Sequence, residues 1–170
     1  MSPGQRLLSL TARLPGTLLP FAAGLALSPT GLLYALAAAI AALTGWWISQ
    51  AASRWLHRRM HTHHLLLCSA VLYVVAVILL LVAAEQHAAG TAAALSLAGG
   101  LTAPAERVAV PHPRLDRTAL AAAVVISLIC GAASAWSVPL VAAALAAAIS
   151  VPLLVMTRGA GEKLSDPETP

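Results

Sequence analysis

Apolar residues run along this chain in six long blocks separated by short polar breaks: Leu14–Ser28, Gly31–Gln50, Leu65–Ala84, His87–Ala103, Thr118–Ala135 and Leu140–Met156. A helix needs roughly 20 apolar residues to cross a hydrocarbon core of ~30 Å, and the second, third, fifth and sixth blocks read clearly as such spans. The first is shorter and contains Pro15 and Pro20, which a membrane helix tolerates where its neighbours satisfy the carbonyls that proline frees. The fourth, "HAAGTAAALSLAGGLTAP", is weak in hydrophobicity because it is mostly Ala and Gly. Such a helix suits the middle of a bundle, where small residues let backbones approach. The breaks agree with this division: "SPTG" (Ser28–Gly31), "EQH" (Glu85–His87) and "WSVP" (Trp136–Pro139) predict tight corners. Ser53–His64 and Pro104–Arg117 are longer and basic. The C-terminal "TRGAGEKLSDPETP" reads as a disordered tail. The expected organisation is therefore all-α and polytopic, a six-helix transmembrane bundle over residues 1–158 with a cytoplasmic tail over 159–170.

Composition sharpens the class. The chain has 170 residues, enough for one compact unit. Hydrophobic residues make up 59% and Asp, Glu, Lys and Arg only 9%, against about a quarter charged in a soluble domain. The formal charge of +4 comes from loop arginines on a chain with few acids, and it does not imply nucleic-acid binding. With six spans, one side receives the N-terminus, both basic loops and the C-terminus, and these hold all ten Lys and Arg residues. The three tight corners on the other side hold none. That asymmetry predicts cytoplasmic termini. Deleting the fourth span would strand Arg107, Arg114 and Arg117 on the opposite side. Reading the first block as a signal peptide ending at "ALS" places Pro29 after the cut, which disfavours cleavage. Cys68 and Cys130 lie inside apolar runs and read as small packing residues rather than a disulfide.

The second block carries a row of small residues, Ala37, Ala41, Gly45, Ser49 and Ser53, spaced every four positions. A row of this kind favours close helix contact in lipid. The stretch that follows, Ser49-Gln50-Ala51-Ala52-Ser53-Arg54-Trp55-Leu56-His57-Arg58, resembles the inner-loop motif of the major facilitator superfamily, broadly G-x-L-A-D-R-x-G-R-R, at Ala52, Arg54 and Arg58. Ser49 and Leu56 stand where that family has glycines, and Ser53 replaces its acid. "RLPGTLLPFAAG" (Arg13–Gly24) and "LAGGLTAPAERV" (Leu97–Val108) resemble actinobacterial-type members, and Gly131-Ala132 stands where many of them have a Gly-Pro pair in helix five. The layout, from about Arg13 to Arg158, looks like the N-terminal half of such a transporter. The resemblance implies a bacterial inner-membrane protein that moves a small-molecule solute. It also implies a second half, because alternating access needs two bundles rocking about a central site. That half is a second copy in a homo-oligomer or a partner. The alternative expectation is a non-transporting scaffold or accessory subunit, or a truncated transporter half.

Candidate chemistry is sparse. Ionisable groups inside spans mark ion and proton pathways, and the six blocks hold almost none: Glu85 and His87 fall at an outer corner, and the interior polar positions are mainly hydroxyls, thiols and two tyrosines. No cluster of acids, Ser/His/Asp set or phosphate loop points to an enzyme. His57, His61 and His64 fall at i, i+4 and i+7 of a continuing helix. Imidazoles so spaced can ligate a transition metal, but the stretch lacks a carboxylate or thiolate to complete the set. The favoured reading places Arg54, Arg58 and these histidines against anionic lipid headgroups, with Trp46, Trp47 and Trp55 nearby as interfacial anchors. No cofactor, metal, catalytic residue or nucleic-acid partner is expected.

Overall fold

A computed structural model describes residues 3–56, 61–103, 117–133 and 137–164. Six α-helices occupy them: α1 (Pro3–Leu27), α2 (Leu32–Leu56), α3 (Thr62–Glu85), α4 (Ala89–Thr102), α5 (Arg117–Ala133) and α6 (Ser137–Leu164). No strand occurs among the described residues. Four helices are long and apolar enough to cross a membrane, over Leu10–Thr30, Leu32–Ser53, His64–Glu85 and Val138–Met156. The apolar stretches of the other two, Ala89–Thr102 and Ala121–Cys130, are shorter. Helix α6 continues to Leu164, past the bundle boundary expected at residue 158, and residues 165–170 of the expected tail lie outside the described set.

The two described corners are closed by local chemistry. Ser28–Thr30 form one 3-10 turn after α1, and Gly31 follows with φ +135° and ψ +148°, a region that only glycine enters without strain. At the end of α3, the Ala88 amide donates to Ala83 O (3.0 Å) and the His87 amide to Ala84 O (3.1 Å). This pair of bonds is a Schellman motif, with His87 at φ +54° in the left-handed position that glycine usually fills.

Helix α1 is the centre of the bundle and packs on each of the other five helices. Of its most apolar stretch 61% is buried, against 39% for α3 and α6 and 22% for α2. Its Leu18, Leu19, Ala22 and Leu27 meet Ala38 and Ala42 of α2, Tyr73, Val77 and Leu80 of α3, and Leu140, Ala144 and Ala148 of α6 in one core. The outside is apolar as well: Leu33, Ile40 and Trp47 of α2 and Val71, Leu72 and Ile78 of α3 are exposed. So much outward-facing hydrocarbon is unfavourable in water and fits helices long and apolar enough to cross a membrane.

Helices that cross a membrane associate through close packing rather than hydrophobic exclusion. The tightest contact joins α2 and α4, and both carry glycine at the crossing. A Cβ at Gly45 would overlap the Leu97 carbonyl oxygen and stand 2.9 Å from the Leu101 amide. A Cβ at Gly100 would overlap the Ala42 carbonyl oxygen and stand 2.9 Å from the Trp46 amide. The Ala/Gly composition that makes α4 weak in hydrophobicity is what allows this approach.

Candidate functional site

Several polar groups of the interior gather on the proline-containing segment of α1. Pro15 and Pro20 have no N–H, so the carbonyls of Thr11 and Gly16 lose their α-helical donors. Side chains supply bonds along the same segment. The Thr17 hydroxyl donates to Arg13 O and Leu14 O, both at 3.2 Å. The Tyr73 hydroxyl reaches across from α3 to donate to Pro15 O at 3.0 Å. From α5 the Ser127 hydroxyl donates to Thr17 Oγ1 at 2.9 Å. Tyr73 and Ser127 are fully enclosed, Thr17 is 6% exposed, and Arg13 is only 5% exposed. Hydroxyls from three helices thus converge on the segment of α1 that also carries the buried Arg13.

The α2 side adds two donors. The Trp46 indole lies over Gly16, where a Cβ would overlap the ring. Its Nε1–H and the Nε2 of Gln50, one turn further along α2, are buried without an acceptor among the described residues. Gly16 beside Trp46, and Gly24 beside Ala35 and Ala39, set an antiparallel register between α1 and α2. That register brings Arg13 level with Ser49 and Gln50. Seen down α1, Arg13 projects between Gly16, which faces α2, and Thr17, which faces α5, by the 100° step of the helix.

The residues singled out from sequence are distributed as follows. Gly45 sits at the α2–α4 crossing, and the Ser49 hydroxyl donates to Ala103 O at 3.4 Å, tying α2 to the end of α4. Ser53 is buried and donates to Gln50 O at 2.8 Å within its own helix. Ala41 is half-buried and Ala37 is exposed, whereas Ala38 and Ala42 are buried. A strict four-residue row advances 400° per step and drifts round the helix by about 40° each time, so the contact follows Ala38, Ala42, Gly45 and Ser49 instead. Arg54 lies in α2 and Gly131 in α5, while Arg58 and His57 fall outside the described residues. His61 and His64 are exposed, with ring centroids 6.2 Å apart in an edge-on arrangement. Among the described residues no three His, Cys, Asp or Glu side chains come together to hold a metal ion.

Sequence reasoning places Tyr73 inside the third span but does not single it out, and it misses Arg13 as an interior group. Arg13 falls with the loop cations when the first block starts at Leu14, whereas the apolar span begins at Leu10. Tyr73 gave no signal beyond being a polar-tipped residue in an apolar run. Chemically, the site offers donors and one fixed positive charge. Glu85, the one carboxylate whose burial is described, is exposed at the corner after α3. Comparison with known proteins gave no matching family model, no matching curated protein and no matching solved structure.

Proposed function

We propose that the chain is a six-span membrane protein acting as one half of a solute transporter, paired with a second copy or a partner half. The observation that carries this reading is the pattern of helix contacts. Exchanging α1 with α4, α2 with α5 and α3 with α6 turns the α2–α4 contact into α5–α1 and the α1–α6 contact into α4–α3, and leaves α3–α6 unchanged; all five contacts occur. A three-plus-three repeat of this kind is what half of a major-facilitator-type bundle contains. The correspondence is incomplete, because the extensive α1–α2 contact has no equal between α4 and α5 among the described residues.

The depth of α4 supports six crossings. Its 14 residues span about 21 Å, short of a ~30 Å core. It nevertheless starts at the corner that ends α3, and Ala103 beyond its last turn meets Ser49, one turn before the apolar span of α2 ends at Ser53. A buried Arg13 on the proline-containing α1 at the bundle centre supports a binding role, since ionisable groups within spans mark substrate pathways.

The deciding experiment is mass determination in detergent, followed by flux of a lipophilic dye such as ethidium in proteoliposomes. Two six-helix units per particle and protein-dependent dye movement are expected. A monomeric particle that moves no dye overturns the reading. One observation favours the scaffold or accessory-subunit alternative: each buried hydroxyl (Thr17, Ser53, Tyr73, Ser96, Ser127) is already engaged in a helix hydrogen bond. That inventory holds a bundle together without leaving hydroxyls for a solute.

A further inference from the structure

A groove of about 330 Å³ runs between α3 and α6 on the outer face of the bundle. Leu67, Val71 and Val75 form one wall and Ile149, Leu153 and Met156 the other, with no polar surface in the lining. Pro152 sits at its floor; lacking an N–H, it releases the Ala148 carbonyl and loosens α6 at this depth. The groove occupies the first half of α3 and the last half of α6, so it lies toward the end of the bundle where α3 begins. On α3 the Leu67–Val71–Val75 row continues one turn outward to His64, which is exposed and in ring contact with His61. Arg158 follows Met156 by two residues on α6, at the same end of the groove.

We infer that this groove seats an acyl chain of an anionic phospholipid from the leaflet at that end, with its phosphate against the His61/His64 edge. The volume falls in the range of small-ligand sites, and the lining matches a hydrocarbon chain. The rim matches a negative headgroup, since basic clusters at helix ends hold anionic lipids. A second copy of the chain fits less well. Helix association in lipid uses small residues, and the groove walls are Leu, Val, Ile and Met, while the glycines that permit close approach are already used between α2 and α4. The inference rests on the membrane-spanning reading of the fold and is independent of transport.

The test is native mass spectrometry of delipidated protein titrated with phosphatidylglycerol or phosphatidylcholine of identical chains. Wild type should retain phosphatidylglycerol preferentially. Val71→Trp and Leu153→Trp fill the groove from opposite helices, and each should lose the adduct with its oligomeric state and thermal melt unchanged. His61→Ala/His64→Ala should weaken phosphatidylglycerol by about fivefold or more and leave phosphatidylcholine unaffected. Equal retention of the two lipids overturns the inference, as does adduct retention in both tryptophan variants. A shift from dimer to monomer in those variants also overturns it and makes the groove a contact between copies.

Discussion

His87 and Gly31 carry the two left-handed backbone conformations among the described residues, at φ +54° and +135°, and they call for opposite substitutions. A side chain in the left-handed region costs roughly 1–2 kcal/mol, so His87→Gly should raise the thermal midpoint in detergent, and His87→Val should lower it because branching at Cβ adds to the clash. Gly31 already has the residue its angles require, and Gly31→Ala should destabilise by about 1–3 kcal/mol with no change in helix content by circular dichroism. "SPTG" was legible as a corner because Pro and Gly act locally, through φ and a missing Cβ. "EQH" was legible as a polar break, but nothing in those letters says that His takes the glycine position. The buried Arg13 was illegible for a related reason: whether a cation at a span's edge faces water or the bundle is decided by neighbouring helices.

At the scale of elements, two buried contacts differ in how much they hold. The α2–α4 crossing is backbone against backbone. Gly45→Ala therefore leaves no side chain free to yield, and a loss of about 3 kcal/mol or more is expected from overpacking. Gly90→Ala is the control, since nothing lies within 4 Å of a Cβ there; it should be neutral or stabilise by up to about 1 kcal/mol through helix propensity. Tyr73→Phe removes the hydroxyl from Pro15 O and should cost only about 0.6 kcal/mol, the typical worth of a hydrogen bond between membrane helices. Guanidinium or heat denaturation of the three variants in one detergent gives the ranking, and a Tyr73→Phe loss equal to that of Gly45→Ala would mean that the α1–α3 bond, not the glycine crossing, organises the bundle. Sequence located the helices because apolar run length is a one-dimensional signal. It placed the packing row on Ala37 and Ala41 because a four-residue spacing ignores the drift of a 3.6-residue helix.

For the whole molecule, the number of crossings turns on whether α4 and α5 span the bilayer. Four spans (α1, α2, α3 and α6) would leave both shorter helices, and the loop with Arg107, Arg114 and Arg117, on the side opposite the remaining Lys and Arg. Six spans put that loop with them, in keeping with the preference for cations on the cytoplasmic face. The parallel course of α2 and α4, with Gly45 against Gly100 and Ser49 against Ala103, favours the second arrangement. A single cysteine distinguishes the two once Cys68 and Cys130 are replaced by Ala. Ala109→Cys lies between α4 and α5 in the chain, and Gln86→Cys lies at the exposed corner after α3. With six spans, a membrane-impermeant maleimide added to intact cells should label Gln86→Cys and reach Ala109→Cys only after permeabilisation. With four, both should label in intact cells, because the two positions then share a side. Labelling of Ala109→Cys without permeabilisation would remove the three-plus-three arrangement, and the half-transporter reading would go with it, leaving a four-span scaffold with two helices packed at its surface.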